Sequence, residues 1–372
     1  MPLASRTIPR ILAALLPLVP LLPACHGQEK RREQATVAVA ALSATAPAPA
    51  ESGKAFNPRL LRRFSPLRAS IESPEHPLTD EKIELGRMLY FDKRLSKNRD
   101  LACNSCHRLD AYGVDGESTS LGDTGQRGGR NSPTVYNAAG YFAQFWDGRA
   151  ADVEQQAKGP ILNPIEMAMP SPDAVVTRLK GIPGYRELFS KAFPSAADPI
   201  TYDAVGEAIG AFERKLVTPS RWDNYLRGDK NALHDDELEG LKVFTNVGCM
   251  VCHTGEFLGG TSYQRVGAVE PWPNQDDSGR ASLTKNAADR MMFKVPTLRN
   301  IAKTAPYFHD GSAKTLDQAV RKMGKHQLGL ELSDNEVTSI VAWLGSLTGE
   351  LPKAYIAEPA LPGNGTPSKG PT

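Results

Sequence analysis

Neither sign of charge prevails in this 372-residue chain: 44 Lys and Arg face 42 Asp and Glu and leave a formal +2. That balance gives no footing for nucleic acid as a partner. A membrane-spanning run is missing as well. The long apolar stretch, ILAALLPLVPLLPA before Cys25, is short and is interrupted by Pro17, Pro20 and Pro23. Behind Arg6 and Arg10 it reads as an export signal rather than a bilayer helix. Strand-like alternation is scarce, and the composition fits neither a disordered nor a fibrous chain. Cysteine is rare, five residues in all. Four of the five nevertheless fall in two copies of one pattern, Cys-x-x-Cys-His.

The length suits two domains. Residues 1–24 are expected to form the export signal. Its end, LPAC, resembles a bacterial lipoprotein signal, which makes Cys25 the candidate lipidation site and would account for the odd cysteine; the alternative is ordinary cleavage, with Cys25 free or lost. Residues 25–55, rich in Ala, Pro and Ser after a charged cluster, read as a flexible tether. Residues 351–372 read as a loose tail. Between them the periodic segments are helical, with Gly- and Pro-rich loops separating them.

TDEKIELGRMLYFD has Thr79 as N-cap, acids in its first turn and Leu85, Met88 and Leu89 on one face. DAVGEAIGAFERKL repeats the helical spacing with Val205, Ile209, Phe212 and Leu216. LSDNEVTSIVAWLGSLTG offers a capping box, Ser333 with Glu336, an apolar stripe at Val337, Ile340, Val341 and Leu344, and Gly349 as a stop. The expected fold is mainly α: two related domains, 56–218 and 219–350, joined by irregular loops. A late segment after residue 310 is expected to return towards the first.

The pentads are Cys103 and Cys106 with His107, and Cys249 and Cys252 with His253. Paired cysteines alone are compatible with zinc, disulfides, a thiol redox centre or covalent haem. The adjacent histidine selects among these. In c-type attachment the two thiols add to the haem vinyls and the next imidazole coordinates the iron, whereas a zinc site would need the two pairs to converge and would leave both histidines without a task. Two haems alone could serve an electron carrier. The chain is far longer than carriage requires, so the question is whether one iron keeps an open sixth position beside a carboxylate, which permits peroxide cleavage.

Several long stretches carry a family resemblance: LGRMLYFDKRLS, RNSPTVYNAAG, QFWDGRAADVEQQAKGPILNPIEM, AFERKLVTPS, FKVPTLRN, TAPYFHDG and AVRKM. From about residue 75 to 350 the chain resembles the bacterial dihaem cytochrome c peroxidases. The resemblance implies two cytochrome c-like domains, each with one covalent c-type haem. The N-terminal haem would be peroxidatic and the C-terminal one would accept electrons from a small periplasmic cytochrome c or cupredoxin. It also implies a periplasmic homodimer, membrane-tethered if Cys25 carries lipid.

Residue by residue, the resemblance makes Glu166 the acid/base for hydrogen peroxide, with Gln156 and Phe145 as pocket neighbours. Trp146 becomes the electron relay between the haems; without the family it is a buried structural Trp. Met323 becomes the sixth ligand of the second haem, where the bland reading is a core methionine and His326 is the competing ligand. Asn131, Thr304 and Pro306 match calcium-binding positions, and His309 a contact to a haem propionate.

One departure stands out. Family members that need reductive activation close the resting peroxidatic haem with a histidine in the Gly-rich loop before RNSPTV. The matching residue here is Asp123, and no histidine lies between His107 and His234. An open peroxidatic site at rest is therefore expected, unless Asp123 itself or His76 closes it. The departure raises an alternative: related maturase-like enzymes that oxidise tyrosine or tryptophan on a partner protein also keep that haem open, but with a tyrosine where this chain has Met323. A non-catalytic dihaem carrier would leave Glu166 without a task.

Overall fold

The computed structural model describes residues 57–363, which fall within one compact unit. The export signal, Cys25 and the whole of the tether lie outside the described residues. No described helix is long and apolar enough to cross a membrane.

The periodic segments fold as helices with the caps read from sequence. Thr79 Oγ1 accepts from the Lys82 N–H at 3.2 Å and opens the helix Asp80–Phe91. Leu85 and Leu89 of that helix are fully buried, while Met88 is only half-buried. The Tyr202–Glu213 helix buries Val205, Ile209 and Phe212 completely. Ser333 and Glu336 form the capping box of Asp334–Ser346: the Glu336 N–H donates to Ser333 Oγ at 3.3 Å, and the Ser333 N–H donates to Glu336 Oε2 at 2.8 Å. Strand is confined to one antiparallel pair among the described residues, Tyr263–Arg265 against Met292–Lys294.

Two principal apolar cores organise the chain. One gathers Leu85, Leu89, Tyr136, Ile161, Ile209 and Phe212, the other Phe64, Trp222, Leu241, Phe244, Ile340 and Trp343. A similar close crossing stands in each. Asp80–Phe91 packs on Tyr202–Glu213, and a Cβ on Gly86 would sit 1.8 Å from the Ala208 carbonyl oxygen; Asp235–Asn246 packs on Asp334–Ser346, where a Cβ on Gly240 would sit 1.8 Å from the Ser339 carbonyl oxygen. Only glycine lets these backbones approach so closely. The first helix of each crossing, Asp80–Phe91 or Asp235–Asn246, precedes a Cys-x-x-Cys-His pentad, and Cys103 packs against the first core and Cys249 against the second.

A fully buried ion pair, Arg299 with Asp223 at 2.7 Å, fastens the second core. Asp223 Oδ1 also accepts from the Leu67 N–H at 2.7 Å, and Arg299 donates to the Glu256 carbonyl. These added hydrogen bonds offset the desolvation of the two charges; removing one partner would strand the other.

The end of the chain differs from the expectation of a loose tail from residue 351. Ile356 is buried in the first core with Leu351 and Tyr355 against it. The Tyr355 hydroxyl donates to the Phe212 carbonyl at 2.7 Å, and its ring stacks on Phe212. The segment that returns to the first core is thus 351–363. The helices Leu316–Lys322 and Asp334–Ser346 instead pack with the second.

Candidate active site

The first pentad opens a short helix, Cys103–Cys106. His107 follows it, its Nδ1 3.3 Å from the Gly113 carbonyl oxygen. In the second pentad His253 Nδ1 lies 3.0 Å from the Leu258 carbonyl oxygen. Each carbonyl favours the tautomer with the proton on Nδ1, which leaves the Nε2 lone pair free for a metal. Burial lowers the pKa of both imidazoles, which keeps them in the neutral form a metal requires.

Each pentad lines its own cavity. The first, of about 410 Å³, is lined by Cys103, Cys106 and His107; the second, of about 450 Å³, by Cys249, Cys252 and His253. The four thiols are free and their pairs do not share a cavity, which is the wrong arrangement for a four-cysteine zinc site. Two thiols and one ligating imidazole facing a large, mostly apolar cavity fit a c-type haem in each.

Glu166, Gln156 and Phe145 line the first cavity together. Asn163 Nδ2 donates to Glu166 Oε1 at 2.9 Å. Burial raises the Glu166 pKa above its ordinary value, while the Arg149 charge and the Asn163 hydrogen bond act to lower it. Phe145 adopts a left-handed backbone, φ 66°, and the Arg149 guanidinium lies 3.4 Å from its ring centroid.

Neither group named as a rival ligand lines this cavity. Asp123 is buried, but its Oδ1 accepts from the Asn98 N–H at 2.9 Å and its backbone N–H donates to the Glu166 carbonyl at 2.8 Å. His76 Nδ1 lies 2.6 Å from Glu207 Oε2, and its Nε2 faces Asp152 and Glu154 at 3.6 and 3.9 Å. Desolvation lowers the pKa of His76, but Glu207, Glu154 and Asp152 outweigh it, and the net effect is upwards.

In the second cavity Met323 lines the wall together with His253, whereas His326 does not. His326 Nδ1 sits 3.2 Å from the Glu270 carbonyl oxygen and its ring packs on Trp272 at 5.1 Å. His309 lines this cavity, stacked on Phe293 at 4.2 Å. Thr304, Pro306 and Asn131 line it too. Asn131 Nδ2 donates to the Glu117 carbonyl, and no described residue donates to Asn131 Oδ1. Its neutral amide oxygen and the available carbonyls are hard donors of the kind calcium takes. Asn131 and Trp146 line both cavities.

Several residues at the site escape a reading of the sequence. Glu213 lines the first cavity and carries a carboxyl pushed up to about 8 by burial, with Glu154 adding to the rise and Arg214 opposing it. It lies inside AFERKLVTPS, where it reads as a helix-end acid. Asn163 opens NPIEM, and its place three residues before Glu166 is the one local signal that could reveal it. Arg149 and Lys294 carried no local signal.

The family profile described as "Di-haem cytochrome c peroxidase" matches residues 80–231. The chain is 49% identical over 299 residues to a cytochrome c551 peroxidase of Nitrosomonas europaea, covering 79% of this chain and 88% of that one. It is 44% identical over 306 residues to the cytochrome c551 peroxidase of Pseudomonas aeruginosa, covering 80% and 87%. The crystal structure of a MauG-like protein associated with microbial copper homeostasis superposes with a TM-score of 0.71 at 28% identity, over 82% of this chain and 99% of that one. The family implies two c-type haems, in keeping with the two pentad-lined cavities. Identity of this extent, over this share of each protein, means that the chain belongs to the di-haem cytochrome c peroxidase family and is an oxidoreductase.

Proposed function

We propose that the protein reduces hydrogen peroxide to water in the periplasm, taking electrons from a small cytochrome c or cupredoxin at the haem of the second, C-terminal domain and passing them to the first. The observation that carries this reading is the placement of Glu166 in the same cavity as the Cys103–His107 pentad, where Asp123 and His76 have no place. The haem, when bound, supplies an iron that binds peroxide and takes up electrons. The chain's own residues do the rest.

Cleaving peroxide to water consumes two protons and two electrons. Glu166 accepts a proton from the oxygen that stays and delivers it to the oxygen that leaves. Asn163 holds the carboxylate by Oε1, and Gln156 and Phe145 stand in the same wall. Trp146, common to both cavities, is the aromatic group best placed to relay electrons. Met323, which lines the second cavity, would offer its thioether to the haem held there; a thioether ligand raises the potential and suits a group that collects electrons. Its presence argues against the maturase-like reading, in which a tyrosine takes that position. Asn131, Thr304 and Pro306 would hold calcium against the wall that carries Trp146, and His309 would meet a propionate.

The test is an electron paramagnetic resonance spectrum of the fully oxidised protein with and without peroxide. A high-spin ferric signal that peroxide consumes is expected. Two low-spin signals indifferent to peroxide would mean that a further ligand closes the first site, and the open-site reading would fail.

A further inference from the structure

Lys294 is a buried cation without an anion. Its residue is 8% exposed, on the strand Met292–Lys294. Its ammonium takes part in no hydrogen bond or ion pair with any described residue, and it stands over the Tyr141 ring, 4.4 Å from Nζ to centroid. A tyrosine face offsets only a small part of what an isolated buried ammonium costs. Burial accordingly holds its pKa down, at about 8.

No carboxylate of the described residues acts on Lys294, whose pKa burial alone lowers, and those of the adjoining segments have partners of their own. Asp147 pairs with Arg130 and Arg149, Asp277 with Arg130, and Asp310 accepts from Trp272 and Ser312. Yet Lys294 is one of the residues lining the second cavity, with Cys249, Cys252 and His253. Its backbone N–H donates to the Trp146 carbonyl at 2.8 Å, so the residue also fastens the wall shared by the two cavities. A haem brings propionate carboxylates into such a cavity, and these anions need partners as much as Lys294 does.

We infer that the Lys294 ammonium is the buried counter-ion of a propionate on the haem seated in the second cavity, tying that cofactor to the strand that holds Trp146. This rests on the reading of two covalent haems. Haem content by mass spectrometry of the wild-type holoprotein tests that reading separately: if no covalent haem is present, the parent reading fails before this one is reached.

The decisive measurement is an optical redox titration of wild-type, Lys294→Met and Lys294→Arg holoproteins. Removing a positive charge beside a haem favours its ferric form. In Lys294→Met the reduction equilibrium of the second haem is expected to fall about tenfold, a change of about 59 mV for one electron, while the first haem is unmoved and Lys294→Arg restores the wild-type value. Loss of the second haem in the Met variant but not in the Arg variant would support the same assignment. If the Met and Arg variants behave alike, whether both normal or both defective, the inference is overturned, because it requires the charge and not the shape.

Discussion

The indole Nε1–H of Trp146 donates to the backbone carbonyl of Asn131 at 2.9 Å, and both residues line both cavities. Asn131 in turn donates its N–H to the His309 carbonyl at 2.8 Å. One hydrogen-bonded wall therefore touches the relay candidate, a calcium candidate and the propionate candidate. Trp146→Phe keeps a ring in the wall and removes the bond to Asn131, at a stability cost of about 0.5–1.5 kcal/mol. Electron passage between the haems, followed by stopped flow after mixing the half-reduced protein with peroxide, is expected to slow by tenfold or more, about 1.4 kcal/mol of barrier. An unchanged rate would leave Trp146 a structural residue.

Glu166→Gln keeps the size of the side chain and removes its ability to take a proton. Turnover with peroxide is expected to fall by roughly 10²–10⁴-fold, with both haem spectra intact. Burial raises the pKa of Glu166, so the acidic limb of the wild-type pH profile should lie above the ordinary carboxylate value and should vanish in the variant. Steady-state assays across pH decide it, and a variant with wild-type turnover would remove Glu166 from the mechanism.

The helices and both pentads were legible because their signals are local: a cap, a 3.6-residue stripe, five consecutive positions. What the sequence hid depends on partners far along the chain. Leu351, Tyr355 and Ile356 stand in a Pro-rich stretch that resembles a linker, and they are ordered by contacts with Phe212 and its neighbours. Asp123 could be aligned with a ligand position, but its commitment to Asn98 shows only in the fold. Glu213 and Lys294 are charged residues that composition assigns to the surface; only burial reveals them. The proposed choice of Met323 over His326, three residues away, rests on which of them lines the cavity.

That choice is testable by potential. Met323→His replaces a thioether with an imidazole and is expected to lower the midpoint of the second haem, whereas His326→Ala, which removes a contact to Glu270 and Trp272, should leave it in place. Redox titration of the two variants separates them. A changed midpoint in His326→Ala alone would transfer the ligand role.

Glu213 imposes a pH dependence on stability. Its folded pKa, about 8, lies above the ordinary 4.5, so the folded protein binds the proton more tightly than the unfolded chain. The corresponding stability is fully present below about 4.5 and is lost as pH rises through about 8. Each tenfold difference in proton affinity between the two states is worth roughly 1.4 kcal/mol, so the loss is a few kcal/mol. Glu213→Gln should flatten this decline in guanidinium unfolding series between pH 5 and 9, and an equally steep decline in the variant would assign the effect to another group.

The two helix crossings set the frame on which all of this depends, and Gly86 is the simplest place to probe it. A Cβ at Gly86 would lie 1.8 Å from the Ala208 carbonyl oxygen and 3.0 Å from the Phe212 Cβ, so the Asp80–Phe91 helix must move outwards to admit it. Helix propensity alone favours Ala over Gly by about 1 kcal/mol, so an exposed site would gain stability from the change. Here the expected sign is the opposite: overpacking of this kind costs roughly 1–3 kcal/mol, and it also displaces the helix that leads towards Cys103. Gly86→Ala should lower the unfolding midpoint without changing the m-value, and Gly240→Ala, placed 1.8 Å from the Ser339 carbonyl oxygen, should do the same in the second core. A stabilised Gly86→Ala protein would mean that the helices are not held at this distance, and the close crossing would no longer explain the glycine.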